Sequence, residues 1–174
     1  KSEEAMSSLL RSASTHLRLP VFVALLATSF GLVGQAYSQC SNPANAIVAE
    51  NCLPGNPASE WDIGEGSIGD PTIQGFATDI SVNQGGTVFF KISTPASAYT
   101  INIYRMGYYG GMGARKVATV TPSAHLPQIQ PACMSDATVG LTDCGNWQVS
   151  ASWQVPANAT SGIYFAHLIR SDTG

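Results

Sequence analysis

The residues of this 174-residue chain that could do chemistry are few, and they do not converge on a familiar catalytic pattern. No G-x-S-x-G nucleophile elbow occurs, and no H-E-x-x-H. His125 sits in the Pro-flanked stretch Ser123–Pro127. His167 falls on the apolar face of an expected strand, where a core or interface histidine is the commoner case. The run Gly64-Glu65-Gly66-Ser67-Ile68-Gly69 reproduces G-x-G-x-x-G, but dinucleotide binding needs a buried strand before it and a helix after it. Asp70-Pro71 comes next instead, so the run reads as a flexible loop. Its carboxylates Asp62, Glu65 and Asp70 are the oxygen ligands that Ca²⁺ takes, without the spacing of a calcium loop.

The densest grouping is Ile103–Val117, where a strand runs out into a Gly-rich loop. It carries Tyr104, Tyr108, Tyr109, Met106, Met112 and the cations Arg105, Arg115 and Lys116. One reading is a turn with Gly where φ must be positive, Tyr108 and Tyr109 covering the end of the core. The other is an exposed aromatic platform that stacks a ligand or docks a partner domain, with Arg105, Tyr108, Tyr109 and Arg115 as its residues. No catalytic residue, metal-ligand set or cofactor site is legible in the chain.

The elements that must position this loop read as short strands. Val88, Phe90 and Ile92 alternate with Thr87, Phe89 and Lys91; Tyr99, Ile101 and Ile103 alternate with Thr100, Asn102 and Tyr104. The same period of two runs through Val149–Val155 and Ile163–Ile169. Such alternation marks antiparallel strands with one solvated face. Turn residues separate the runs: Asn83–Gly86, Thr94-Pro95, Gly110-Gly111 and Pro156–Gly162. The fold expected over 72–174 is an all-β, immunoglobulin-like antiparallel β-sandwich. Tyr164, just after the Pro156–Gly162 corner, has two readings: a tyrosine corner bonded back to the corner's backbone, or an ordinary exposed strand tyrosine. Ser171–Gly174 is hairpin-turn chemistry, so the sandwich is expected to lack its last strand here. Residues 39–71, rich in Pro, Gly, Asn and Ala, read as a disulfide-stapled lead-in, with Ile47–Ala49 its only strand-like piece.

The first 38 residues read as an address. Met6 is the expected start, after a five-residue upstream remnant (1–5). Arg11, His16 and Arg18 precede an apolar heart at Val21–Val33, and Ala36-Tyr37-Ser38 suits cleavage before Gln39. The apolar run is short of the roughly 20 residues a membrane span needs, so a secretory signal peptide without a stable membrane anchor is expected. Export to a secreted or periplasmic location predicts oxidised cysteines. Cys40, Cys52, Cys133 and Cys144 allow three connectivities, of which locality favours Cys40–Cys52 and Cys133–Cys144. Zinc would need closer spacing or a neighbouring histidine.

Composition narrows the class further. Charged residues make up 11% of the chain, with 8 Lys+Arg against 11 Asp+Glu. That excludes a nucleic-acid partner held by bulk charge, while 44% hydrophobic residues exclude a disordered acidic tail. Gly 17 and Pro 10 are too many for a helix bundle.

Tyr104-Arg105-Met106-Gly107-Tyr108-Tyr109-Gly110-Gly111, followed by Gly113-Ala114-Arg115, resembles the I-Y-R-x-G-x-Y-G-G-x-G-A-R signature of proteins like the N,N-dimethylformamidase large (β) subunit. Ile73–Thr78, Val82-Asn83, Gly86–Val88 and Pro156–Tyr164 extend the likeness over Asp62–Gly174. The resemblance implies an N-terminal β-sandwich ahead of a larger domain that hydrolyses an amide with a protein-bound iron. It implies no catalytic, metal or cofactor residue within this chain. The partner it implies is the downstream domain of the same polypeptide. The residues also allow an independent extracellular module for a small-molecule or carbohydrate ligand, with Tyr108, Tyr109 and Trp61 as stacking faces.

Overall fold

The computed structural model describes residues 39–64 and 69–172. The signal segment expected over 1–38 and residues 65–68 of the Gly-rich run lie outside the described residues. The chain divides into two units, Lys1–Ala49 and Glu50–Gly174.

In the first unit the expectation for Ile47–Ala49 is corrected. These residues belong to a helix, α1 (Ala46–Asn51). Two of the three are β-branched or apolar enough to suit a strand, but Asn45 stands immediately before them. Its Oδ1 accepts from the backbone N–H groups of Ile47 and Val48, both at 3.0 Å. That satisfies two of the donors a helix start leaves open, and the local cap outweighs strand propensity.

The second unit is built on two three-stranded antiparallel sheets. Its strands are β1 (Gln74–Ala77), β2 (Thr87–Ser93), β3 (Tyr99–Met106), β4 (Ala114–Val120), β5 (Met134–Asp136), β6 (Leu141–Asp143), β7 (Ala151–Gln154) and β8 (Tyr164–Arg170). One sheet has the order β1-β2-β7, the other β4-β3-β8, and β5 with β6 forms a separate hairpin. Phe90, Ile92 and Ala151 from the first sheet meet Tyr99, Ile101 and Ile103 from the second in one buried cluster. These are the inward faces that the period-two pattern gave for β2 and β3. Fully burying such side chains contributes about 1.5–3 kcal/mol each, so the cluster is the main source of cohesion.

Two departures from simple alternation matter. The ladder of β7 begins at Ala151 rather than Val149, because Ser150 turns its side chain into the sheet. Its Oγ accepts from the Ile92 N–H (2.8 Å) and donates to the Ile92 carbonyl (3.1 Å). In β8 the core-facing residues are Tyr164 and Leu168, paired in register beside Arg105 and Ile101, while Phe165 and His167 take the opposite side. There Tyr104 stacks on Phe165 with centroids 5.4 Å apart, and Trp61 meets Phe165 edge-on. Trp61 ends a short helix, α2 (Ala58–Trp61). Part of the lead-in therefore covers the outer face of the second sheet, and Tyr104, expected on a polar face, is buried. A bulge between Ile103 and Tyr104 in the pairing with β4 re-aims the end of β3.

Cys133 and Cys144 form a disulfide across the base of the β5–β6 hairpin, their Cα atoms 4.4 Å apart. Cys40 and Cys52 are disulfide-bonded as well, giving two disulfides and no free cysteine among the described residues. Disulfides of this kind suit an oxidising, extracytoplasmic environment. Among the described residues, no helix is long and apolar enough to cross a membrane.

Candidate functional site

The Tyr-Gly loop links β3 to β4 and is clamped at every turn. Its neck closes with the Gly107 N–H donating to the Gly113 carbonyl at 3.0 Å. Its tip is a 3-10 turn at Tyr109–Gly111, entered by Tyr109 in the left-handed region at φ 43°. A non-glycine residue there needs its side chain held firmly. Tyr109 is so held: its hydroxyl accepts from Arg105 Nη1 (2.9 Å) and donates to Glu50 Oε1 (3.0 Å). Glu50 Oε1 also accepts from Arg115 Nε at 2.9 Å and Nη2 at 2.5 Å. The Arg115 guanidinium lies 5.9 Å from the Tyr109 ring centroid.

Arg105 is only 3% exposed. Besides Tyr109 it donates to the Met106 carbonyl (3.2 Å), the Ser161 carbonyl (2.7 Å) and, at 3.4 Å, the Thr160 carbonyl. The Thr160 carbonyl also accepts the Tyr164 hydroxyl at 2.5 Å, closing a tyrosine corner, the first of the two readings that the sequence allows. One buried chain of hydrogen bonds thus runs from the β7–β8 corner through Arg105, Tyr109 and Glu50 to Arg115. Burial pushes the Tyr109 and Tyr164 hydroxyls above their ordinary range, with Arg105 opposing in both cases. For Arg115 burial works against the charge, but the hydrogen bonds and charge of Glu50 outweigh it and raise its pKa.

Glycine is required where the chains approach most closely. A Cβ on Gly162 would sit 2.8 Å from Arg105 Nε, and one on Gly113 would sit 2.9 Å from the Trp61 ring. The lead-in completes the clamp. The Tyr108 N–H donates to Asn51 Oδ1 (2.7 Å), and Asn56 exchanges backbone and side-chain hydrogen bonds with Ala114 and Lys116.

The four residues assigned to the loop therefore part company. Arg105 and Tyr109 are interior, Arg115 is half-buried against Glu50, and Tyr108 stands out at 66% exposure. Read along the segment Ile103–Arg115, the fixed letters of the I-Y-R-x-G-x-Y-G-G-x-G-A-R pattern include its buried residues: Ile103, Tyr104, Arg105, Tyr109 and Ala114. The three variable letters fall on Met106, Tyr108 and Met112, which are 47%, 66% and 47% exposed. Glu50 was not singled out from the sequence; a lone glutamate in the lead-in gives no spacing signal for a partner 59 positions away. Beside it, Arg115, Trp153, Asn158 and Tyr164 border a small pocket of about 310 Å³.

Among the described residues, no group of three or more His, Cys, Asp or Glu is placed to hold a metal ion.

The strand order of the two sheets, β1-β2-β7 against β4-β3-β8, is that of an immunoglobulin-like sandwich. Within that class, residues 100–174 match the family model described as N,N-dimethylformamidase beta subunit-like, C-terminal. The match runs from within β3 to residue 174 and covers 75 of the 174 residues. The resemblance named the same family but the sandwich at its N-terminal end, whereas the matched description names a C-terminal part. No match was found among curated proteins or among solved structures.

Proposed function

We propose that this chain is the non-catalytic β-sandwich part of an exported N,N-dimethylformamidase-like protein. In this reading the Tyr-Gly loop docks on a catalytic domain in the same polypeptide. The observation that carries it is the division of the loop: its polar residues are spent inward, fixing its shape, while Met106, Tyr108 and Met112 face outward. A rigid loop presenting exposed apolar and aromatic side chains loses little entropy on docking and gains aromatic contact area. The family match over 100–174 supports the setting, and the disulfides support export.

Hydrogen exchange tests the docking. Amides of residues 106–113 should exchange more slowly in the protein expressed from its complete reading frame than in the 174-residue chain. Replacing Met106, Tyr108 and Met112 by Ser in the full protein should restore the faster exchange. Equal rates in both proteins would overturn the reading.

An independent carbohydrate-binding module is less well supported, because Tyr109 is buried and Trp61 packs edge-on against Phe165. Of the three stacking faces, Tyr108 alone points to solvent. A glycan array that gave binding lost with Tyr108→Ala would favour this alternative.

A further inference from the structure

The small pocket of about 310 Å³ opens where β4 and β7, edge strands of the two sheets, face each other. Val117 and Trp153 line it from the strands, Glu50 from α1, and Asn158 and Thr160 from the β7–β8 corner. The clamp leaves part of Glu50 unused. All three donors, from Tyr109 and Arg115, go to its Oε1. Oε2 accepts from no group among the described residues, although the side chain is only 10% exposed. Lone pairs of a buried carboxylate need a donor, and leaving them empty costs free energy. Oε2 is not sealed in the interior, so a donor can reach it through the pocket. The side chains of Asn158 and Thr160 also bond to nothing among the described residues. Trp153 and Tyr164 add an aromatic wall, their ring centroids 5.8 Å apart and their planes tilted by 46°.

We propose that this pocket binds one neutral sugar residue, with one hydroxyl donating to Glu50 Oε2, another on Asn158, and a ring face against Trp153. Charge selects the class. Among the described residues that line the pocket, Glu50 and Arg115 are the only charged ones, and they neutralise each other. A cation would have to draw the carboxylate away from Arg115, and an anion would face Glu50 Oε2 directly. Either ion would lose its hydration without gaining a free counter-charge. A hydroxyl suits the site because it both donates and accepts, so neighbouring hydroxyls can serve a carboxylate and an amide together. The C–H groups of a sugar ring, polarised by the adjoining oxygens, pack on the negative face of an indole. The volume is at the small end for ligand sites, which suits one ring rather than a chain. Tyr108 is not among the lining residues, so the site is separate from the loop tip and does not depend on its docking.

The test uses the chain produced in a bacterial host, where the sequon Asn158-Ala159-Thr160 stays bare. Glucose, galactose, mannose and N-acetylglucosamine are titrated by calorimetry, with glucosamine and glucuronate as charged counterparts. At least one neutral sugar should bind with a Kd of about 1 mM or below, the range open to a ligand of this size. The charged sugars should bind at least ~10-fold more weakly. Asn158→Ala should weaken binding about 10-fold without moving the urea midpoint, because that side chain holds no part of the fold. Glu50→Gln sets an amide beside the sugar hydroxyl in place of the carboxylate and should weaken binding at least as much; if it fails to fold, Asn158→Ala carries the test. Tyr108→Ala should leave the affinity unchanged. Four results would overturn the proposal: no neutral sugar bound at ~10 mM, charged sugars bound equally well, affinity unmoved by Asn158→Ala, or affinity lost with Tyr108→Ala.

Discussion

Arg105→Met separates a guanidinium that organises the fold from one that waits for a ligand. The substitution keeps an apolar stem of similar length and removes the donors to Tyr109, Met106, Ser161 and Thr160. Hydrogen bonds from a charged donor contribute about 1.5–3 kcal/mol each. Only the contacts to Ser161 and Tyr109, at 2.7 and 2.9 Å, are short enough to count in full. The exposed Ser161 carbonyl can turn to water instead, so the expected loss is about 3 kcal/mol rather than the full sum. With a urea m-value of about 1.5 kcal/mol/M, the unfolding midpoint should fall by about 2 M. Urea unfolding followed by tryptophan fluorescence reads this directly. Tyr164→Phe should couple to it by about 0.5–1 kcal/mol in a double-mutant cycle, because both side chains share the Thr160 carbonyl. A midpoint shift within about 0.3 M, with no coupling, would refute the account, since that is how a solvent-facing arginine behaves.

Gly162→Ala should cost about 1–3 kcal/mol by pressing its Cβ against Arg105, and much less in an Arg105→Met background, where that side chain can yield; thermal melts of the single and double variants check this. Asp172 should give an acid-dependent contribution. Its carboxyl, held by Arg170 and then by the Ser97 N–H, is lowered from 3.8 to about 2. A depressed folded pKa means stability present above about pH 4 and lost as pH falls through about 2. The Tm difference between the native protein and Asp172→Asn should therefore be steady at neutral pH and close in that acid window; a gap unchanged down to pH about 2 would contradict it. Replacing Cys133 and Cys144 together by Ser should lower stability by about 2–3 kcal/mol, the scale of an 11-residue loop, and a thiol titration of the unfolded native protein should find none of the four cysteines free.

What can be read from the sequence is what neighbouring residues decide. Strands β2, β3 and β8 are legible from a period of two, because alternate side chains of an extended chain must face opposite ways. The bond from Tyr164 to Thr160 is legible because it spans only four residues. Asn45 was a readable signal too, and capping explains why Ile47–Ala49 helix rather than extend. The core faces of β2 and β3 could be named for the same reason: Phe90 and Ile92, like Ile101 and Ile103, recur at every second place.

The direction of the loop's side chains belongs to the tertiary structure. Tyr108 and Tyr109 are adjacent and chemically identical, yet one is solvent-facing and the other 2% exposed. The difference is made by Glu50, Arg105 and the β7–β8 corner, which reach the loop from separate parts of the chain. Residue type could specify only that some aromatic side chain would close the end of the sandwich. Which tyrosine turned inward was settled by where a distant carboxylate and a buried guanidinium could both find the same hydroxyl.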